Sequence, residues 1–215
     1  LPQLNIGGVE RGTLDLSKAL IEKGHDSYVI SGGGILVDEL LNSGAKHYEI
    51  PIHIKSLKTL SLSKELAERI SSIDPEIVHI RSRMPAWVNY KAFKSLKKKP
   101  LLISTFHGLY SFPFYSKVMS FVDHSIAISN TVKKYILNNY KLDNKDITVI
   151  PRGCDPIEFN IEPIGHDYKA AIFSEYPQIT GKKILTIPGR ITKWKGIAEF
   201  IDLLSLLDDS YHGLI

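Results

Sequence analysis

The run Ile187-Pro-Gly-Arg-Ile-Thr-Lys-Trp-Lys-Gly196 follows a short apolar strand, 183–187, and precedes an apolar-periodic stretch, 197–207, that reads as a helix. A strand, a glycine-bounded turn and a helix N-terminus form an anion site, because free backbone N–H groups and the helix dipole point at it. Arg190 and Lys195 add two positive charges, and a diphosphate is the guest they suit. Three other groups sit where a strand gives way to a turn. Gly7-Gly8-Val9-Glu10-Arg11-Gly12 lets backbone approach a ligand closely; a tight turn with no ligand fits it equally well. Arg81 and Arg83, in His79-Ile-Arg-Ser-Arg83, can bind an anionic acceptor or a phosphate. Taken singly, each is better read as solvated or paired with a carboxylate. His107, in Ser104-Thr-Phe-His-Gly108, can polarise a hydroxyl or donate to an anion, and its strand-end position sets that reading level with a structural one. Val149-Ile-Pro-Arg-Gly-Cys-Asp155 reads as a cleft edge or a hinge.

These positions need a scaffold, and the chain supplies an alternation. Strands are expected at 27–31, 77–80, 101–106, 125–128, 147–150 and 184–187, with 1–4 as the tail of one more. They are short and rich in Ile and Val, as strands buried on both faces are. Helices are expected at 9–23, 36–42, 63–73, 85–96, 129–139 and 197–207, with Ser129 as an N-cap. The alternation predicts an α/β fold, a Rossmann-like parallel sheet with helices on both faces. Pro151, Pro156, Pro163, Gly153 and Gly165 punctuate a linker, so the expected units are 1–160 and 161–215. The second holds one expected strand, too few to bury it on both sides, and reads as the start of an incomplete Rossmann-like domain.

Composition narrows the function. With 215 residues, 43% hydrophobic and 23% charged, the chain suits a folded domain and part of another. A net charge of +4 suits anionic ligands or an anionic membrane surface, not nucleic acid, which draws denser basic patches. Lys97-Lys98-Lys99, the one basic triplet, is best read as a solvated helix end. A single cysteine, Cys154, and no signal peptide or transmembrane-length run fit the cytoplasm. Leu1 in place of an initiator Met reads as a trimmed N-terminus. The glycine run is not GxGxxG and lacks a suitable ribose-binding acid, which argues against a nicotinamide cofactor. No His/Cys cluster has metal-ligand spacing and no Asp-x-Asp occurs, so no metal is expected.

Taken in order, GGVERGTLDLSKAL (7–20), HIRSRMPAW (79–87), STFHG (104–108), IAIS (126–129), VIPRGCD (149–155) and PGRITKWKG (188–196) resemble family 4 (group 1) retaining glycosyltransferases of the GT-B fold. The closest likeness is to bacterial members that build cell-envelope polysaccharide or lipopolysaccharide. The resemblance implies an N-terminal acceptor-side domain and the beginning of a nucleotide-sugar-binding domain, with the donor in the cleft between. It implies a UDP- or GDP-sugar type of substrate, a glycan or glycolipid acceptor and no cofactor. By resemblance Gly7 and Gly8 meet the donor phosphates, Arg190 and Lys195 neutralise the departing diphosphate, His107 lies close to the donor sugar, and Arg81 and Arg83 lie on the acceptor side. The family's Glu-x7-Glu element would fall beyond Ile215, so the chain reads as truncated. A catalytically inactive binding module and a GT-B-fold sugar epimerase are the alternatives. Peripheral contact with the inner face of an anionic membrane, through the aromatic–basic stretch 109–119, is a further expectation.

Overall fold

The computed structural model describes residues 1–215 except 55, 111, 112, 158, 160, 161, 163, 164 and 190, with the backbone alone at 57, 166 and 194. The chain forms two compact units, Leu1–Gly153 and Cys154–Ile215.

In the first unit helix α1 (Gly8–Glu22) leads to strand β1 (Tyr28–Ser31), helix α2 (Val37–Asn42) and strand β2 (Lys46–Glu49). Helix α3 (Ser63–Ile73), strand β3 (Ile77–Ile80), helix α4 (Arg83–Phe93) and strand β4 (Leu101–Phe106) continue the alternation. A short α5 (Pro113–Ser116), strand β5 (His124–Ala127), helix α6 (Asn130–Asn139) and strand β6 (Ile147–Val149) complete it. Strands β3-β4-β5-β6 pair in that order, and β1 pairs with β2. Every pairing is parallel, as βαβ crossovers require. The expected α/β architecture is the one that forms.

Local sequence explains most boundaries. Asp74, at φ 47°, takes the left-handed turn that ends α3, and Pro75 prevents continuation. Ser129 Oγ accepts from Val132 N at 3.2 Å and starts α6. Residues 1–4 run beside β1 as expected of a strand tail: Gly32 N donates to Pro2 O at 2.8 Å and Leu4 N to Gly33 O at 2.7 Å. Gly34, at φ 141°, is needed where its backbone passes Leu4, because a Cβ there would overlap the Leu4 carbonyl.

Strand β2, Lys-His-Tyr-Glu, departs from the expectation. It is polar because it pairs on one side only, so it lacks the Ile/Val run by which a doubly buried strand is read. Three apolar clusters hold the unit together. The first gathers Leu4, Leu14, Val29, Leu40 and Ala45 beneath α1 and α2. A second gathers Ile80, Leu102, Phe106, Ala127 and Ile136; the third gathers Ile50, Leu66, Ile70, Val88 and Leu96. Val78 and Phe93 pack against both of the latter.

The second unit contains helix α7 (His166–Glu175), strand β7 (Lys183–Thr186), helix α8 (Ile197–Ser205) and strand β8 (Tyr211–Leu214). Strand β8, parallel to β7, is a second departure, because the sequence predicts one strand here. Tyr-His-Gly-Leu carries no apolar run, and Gly213 lowers its strand signal. Ile179 and Ile197 are the buried apolar residues of this unit among those described.

Candidate functional site

The first unit brings four chain segments to one place. Gly7 caps α1 without a side-chain hydrogen bond, which leaves first-turn N–H groups available. The Glu10 carboxylate folds over Gly7, where a Cβ would overlap it. Arg81 follows β3 directly, His107 follows β4, and Arg152 lies just beyond β6. These are the carboxyl ends of parallel strands, where open α/β sheets collect ligands. A Cβ on Gly8 would stand 2.6 Å from Arg152 Nη1, so glycine makes room for that guanidinium. A Cβ on Gly12 would stand 3.4 Å from Arg81 Nη2 and 3.8 Å from Arg152 Nη2.

The electrostatics follow from burial and clustered positive charge. Burial, with Arg152 beside it, pushes Arg81 down to about 10 against a smaller pull from Glu10. Burial, then the charge of Arg81, holds the His79 imidazole down at about 3. Burial, then Arg81 and Arg152, does the same to His107, also at about 3. Both imidazoles are therefore neutral near pH 7. His79 Nε2 shares a 2.7 Å hydrogen bond with Thr105 Oγ1. Arg152 Nη2 donates to His107 Nδ1 at 3.1 Å. An arginine only donates, so Nδ1 accepts and the His107 proton sits on Nε2. That Nε2–H is buried and has no hydrogen-bond partner among the described residues, and the same holds for Arg81 Nε.

The expected residues separate into groups. Gly7, Gly8, Arg81 and His107 come together. Arg83 instead lies over aromatic rings, 4.9 Å from the Tyr110 centroid and 5.5 Å from that of Tyr115. Trp87 Nε1 donates to Tyr115 O at 3.0 Å, and Tyr135 Oη to Tyr110 O at 2.6 Å, so most described aromatics of 109–119 are packed. Phe114 is 87% exposed. Sequence reasoning does not single out Arg152. Its signal is its place a few residues beyond a strand, shared by many loop arginines.

In the second unit β7 leads through Pro188 and Gly189 to a turn at Lys193–Lys195. Gly196, at φ 76°, starts α8, and Phe200 N donates to its carbonyl at 2.9 Å. The expected strand, turn and helix are thus formed. Lys195 is exposed, and its stem lies near Gly189, where a Cβ would stand 3.8 Å from Lys195 Cδ. Arg190 lies outside the described residues. Among the described residues no group of three His, Cys, Asp or Glu can hold a metal ion, and no helix is long and apolar enough to cross a membrane.

The fold is shared with known proteins. The chain superimposes on a glycosyltransferase from Rickettsia africae ESF-5 with a TM-score of 0.78 and 34% identity, over 96% of this chain and 56% of that one. A sucrose-phosphate synthase from Thermosynechococcus elongatus shares the fold at a TM-score of 0.74 and 16% identity, over 94% of this chain and 55% of its own. A human phosphatidylinositol N-acetylglucosaminyltransferase polypeptide is 27% identical over 217 residues, 94% of this chain and 41% of that protein. The chain therefore spans about half the length of the relatives it matches. The family model for Glycosyltransferase Family 4 matches residues 6–158, across the glycine turn, Arg81, His107 and Arg152. By that match the chain belongs to Glycosyltransferase Family 4.

Proposed function

We propose that the chain is the acceptor-side unit, with the beginning of the donor-side unit, of a retaining glycosyltransferase. It moves a sugar from a nucleotide-sugar such as a UDP- or GDP-sugar to a glycan or glycolipid acceptor of the cell envelope, such as a lipopolysaccharide precursor. The observation that carries this reading is the convergence of Gly8, Arg81, His107 and Arg152 at the carboxyl ends of the strands, inside the region that matches the family.

In this reaction the sugar–phosphate C–O bond breaks and the acceptor hydroxyl forms the new glycosidic bond on the same face. The hydroxyl proton passes to the departing phosphate oxygen, so no protein nucleophile is required. Negative charge grows on the diphosphate as the bond breaks. Arg190 and Lys195 stabilise that charge more in the transition state than in the ground state. Gly7 and Gly8 present first-turn N–H groups to the donor phosphates. The neutral His107, with its proton on Nε2, offers a donor to a sugar hydroxyl without bringing a competing charge. Side chains and backbone neutralise the diphosphate, with no metal.

The protein works in the cytoplasm and touches the inner face of an anionic membrane through exposed Leu109 and Phe114 with Lys117 nearby. Sedimentation with anionic liposomes tests that contact, and its absence removes it. The transfer reading is tested by incubating the full-length protein with UDP-, GDP- and ADP-sugars and acceptor extracts. Consumption of a donor, with product of the donor's anomeric configuration, is expected. Failure with all donors overturns the reading, and epimerised donor formed without acceptor replaces it by epimerisation.

A further inference from the structure

Two guanidinium groups of the first unit lie together without a counterion. Arg81 and Arg152 take part in no ion pair among the described residues. Both reach the Gly12 side of α1, Arg81 to 3.4 Å and Arg152 to 3.8 Å of where a Cβ would stand. The N-terminal end of α1 adds partial positive charge of its own. Like charges drawn together in a partly buried place are costly unless an anion joins them. Glu10, the one carboxylate that eases Arg81, is turned over Gly7. A single carboxylate does not balance two guanidinium groups. Arg81 Nε is buried with no hydrogen-bond partner among the described residues, and His107 Nε2 beside the pair is likewise an unused donor. The cluster is rich in donors whose fork geometry matches phosphate oxygens.

We infer that Arg81 and Arg152 form a phosphate subsite over Gly12, and that the phosphate belongs to the acceptor. The acceptor assignment rests on the transfer reading above. A phosphate monoester carries about two negative charges near pH 7. In that reading the donor diphosphate is already matched by Arg190, Lys195 and the Gly7 and Gly8 N–H groups. Arg81 and Arg152 then match a second dianion, which makes the acceptor class a phosphorylated glycan or glycolipid.

The probe is inorganic phosphate, titrated into the full-length protein by calorimetry, with and without saturating UDP. Binding at millimolar phosphate is expected, unchanged by UDP and by Lys195→Ala. Arg152→Ala and Arg81→Gln are each expected to weaken it about 10- to 100-fold, as loss of a charged hydrogen bond does. Arg152 is exposed, so Arg152→Ala decides the matter if Arg81→Gln fails to fold. Absence of phosphate binding, or binding untouched by Arg152→Ala, overturns the subsite. Displacement by UDP overturns the acceptor assignment and gives the cluster to the donor diphosphate. In initial-rate kinetics phosphate is expected to compete with acceptor and not with donor. Phosphate binding as expected in a protein that consumes no nucleotide-sugar would fell the transfer reading and leave the subsite standing.

Discussion

In the first unit Arg81 is drawn against a packed interior, with His79 and His107 held neutral beside it. In the second, Lys195 stands exposed on a short turn beyond a two-stranded sheet. The difference comes from what lies beneath. Four paired strands and three apolar clusters back the first site, so burial sets the ionisation of its side chains. The second unit buries Ile179 and Ile197, while Ile201, Leu203 and Leu206 of α8 and the residues after it stay exposed. A helix apolar on most sides normally lies in an interior. The first unit therefore offers desolvated side chains of altered ionisation, and the second offers an exposed charge on a short turn.

The widest gap between the units is in packing. Phe106 is 0% exposed and Leu206 82%. Phe106→Ala is expected to cost about 3–5 kcal/mol of stability, and Leu206→Ala less than about 0.5 kcal/mol. Denaturant melts of the two variants check this. Equal losses would break the contrast.

In the proposed transfer, the exposed Lys195 acts on the departing diphosphate. In the full-length enzyme Lys195→Ala is expected to lower the transfer rate about 100- to 1,000-fold, as removal of a transition-state donor does, and Arg190→Ala to do the same. A near-native rate removes the diphosphate role from either residue. The combination of a large rate loss with an unchanged melt would sharpen the distinction between the two sites.

Gly34→Ala tests the scaffold below the first site. It combines a φ of 141° with overlap against the Leu4 backbone, and a loss of about 2–3 kcal/mol is expected. Gly153→Ala, at a position where a Cβ meets nothing within 4 Å, is the matched control. Similar melts for the two variants would show that residues 1–4 are not held against β1 as described.

Taken per residue, the smallest expected effect is one of pH. His79 and His107 are held at about 3 in the folded chain, against about 6.5 unfolded. The unfolded chain binds the extra protons, so stability is unaffected above pH 6.5 and falls as pH drops from there towards 3. The slope is about 1.4 kcal/mol per pH unit for each histidine, or about 2 kcal/mol each by pH 5. Urea melts at pH 7 and pH 5 measure it, and His79→Asn should remove one histidine's share.

Much of this organisation was legible in sequence. The bounds of α3 followed from Ser63 and from Asp74-Pro75, and the central strands from Ile/Val runs, because those signals act within a few residues. Strands β2 and β8 were not legible, since an edge strand needs no apolar run and shows its nature only through its partner. Gly7, Gly8, Arg81 and His107 were readable as strand-end residues, but nothing local distinguished Arg81 from Arg83. Two residues apart in the chain, one meets Arg152 and the other Tyr110 and Tyr115.

By itself the sequence determined the alternation of strands and helices, the glycine turns and the order of motifs that marks the family. Those depend on periodicity and on backbone freedom, both local properties. Tertiary structure alone decided that Arg152 joins Arg81 and His107, that Nδ1 of His107 accepts and Nε2 carries the proton, and that the pair of arginines lacks a counterion among the described residues. Charge state and hydrogen-bond partnership depend on which distant segments share a desolvated space, and parallel crossovers bring residues 8, 81, 107 and 152 to one end of the sheet.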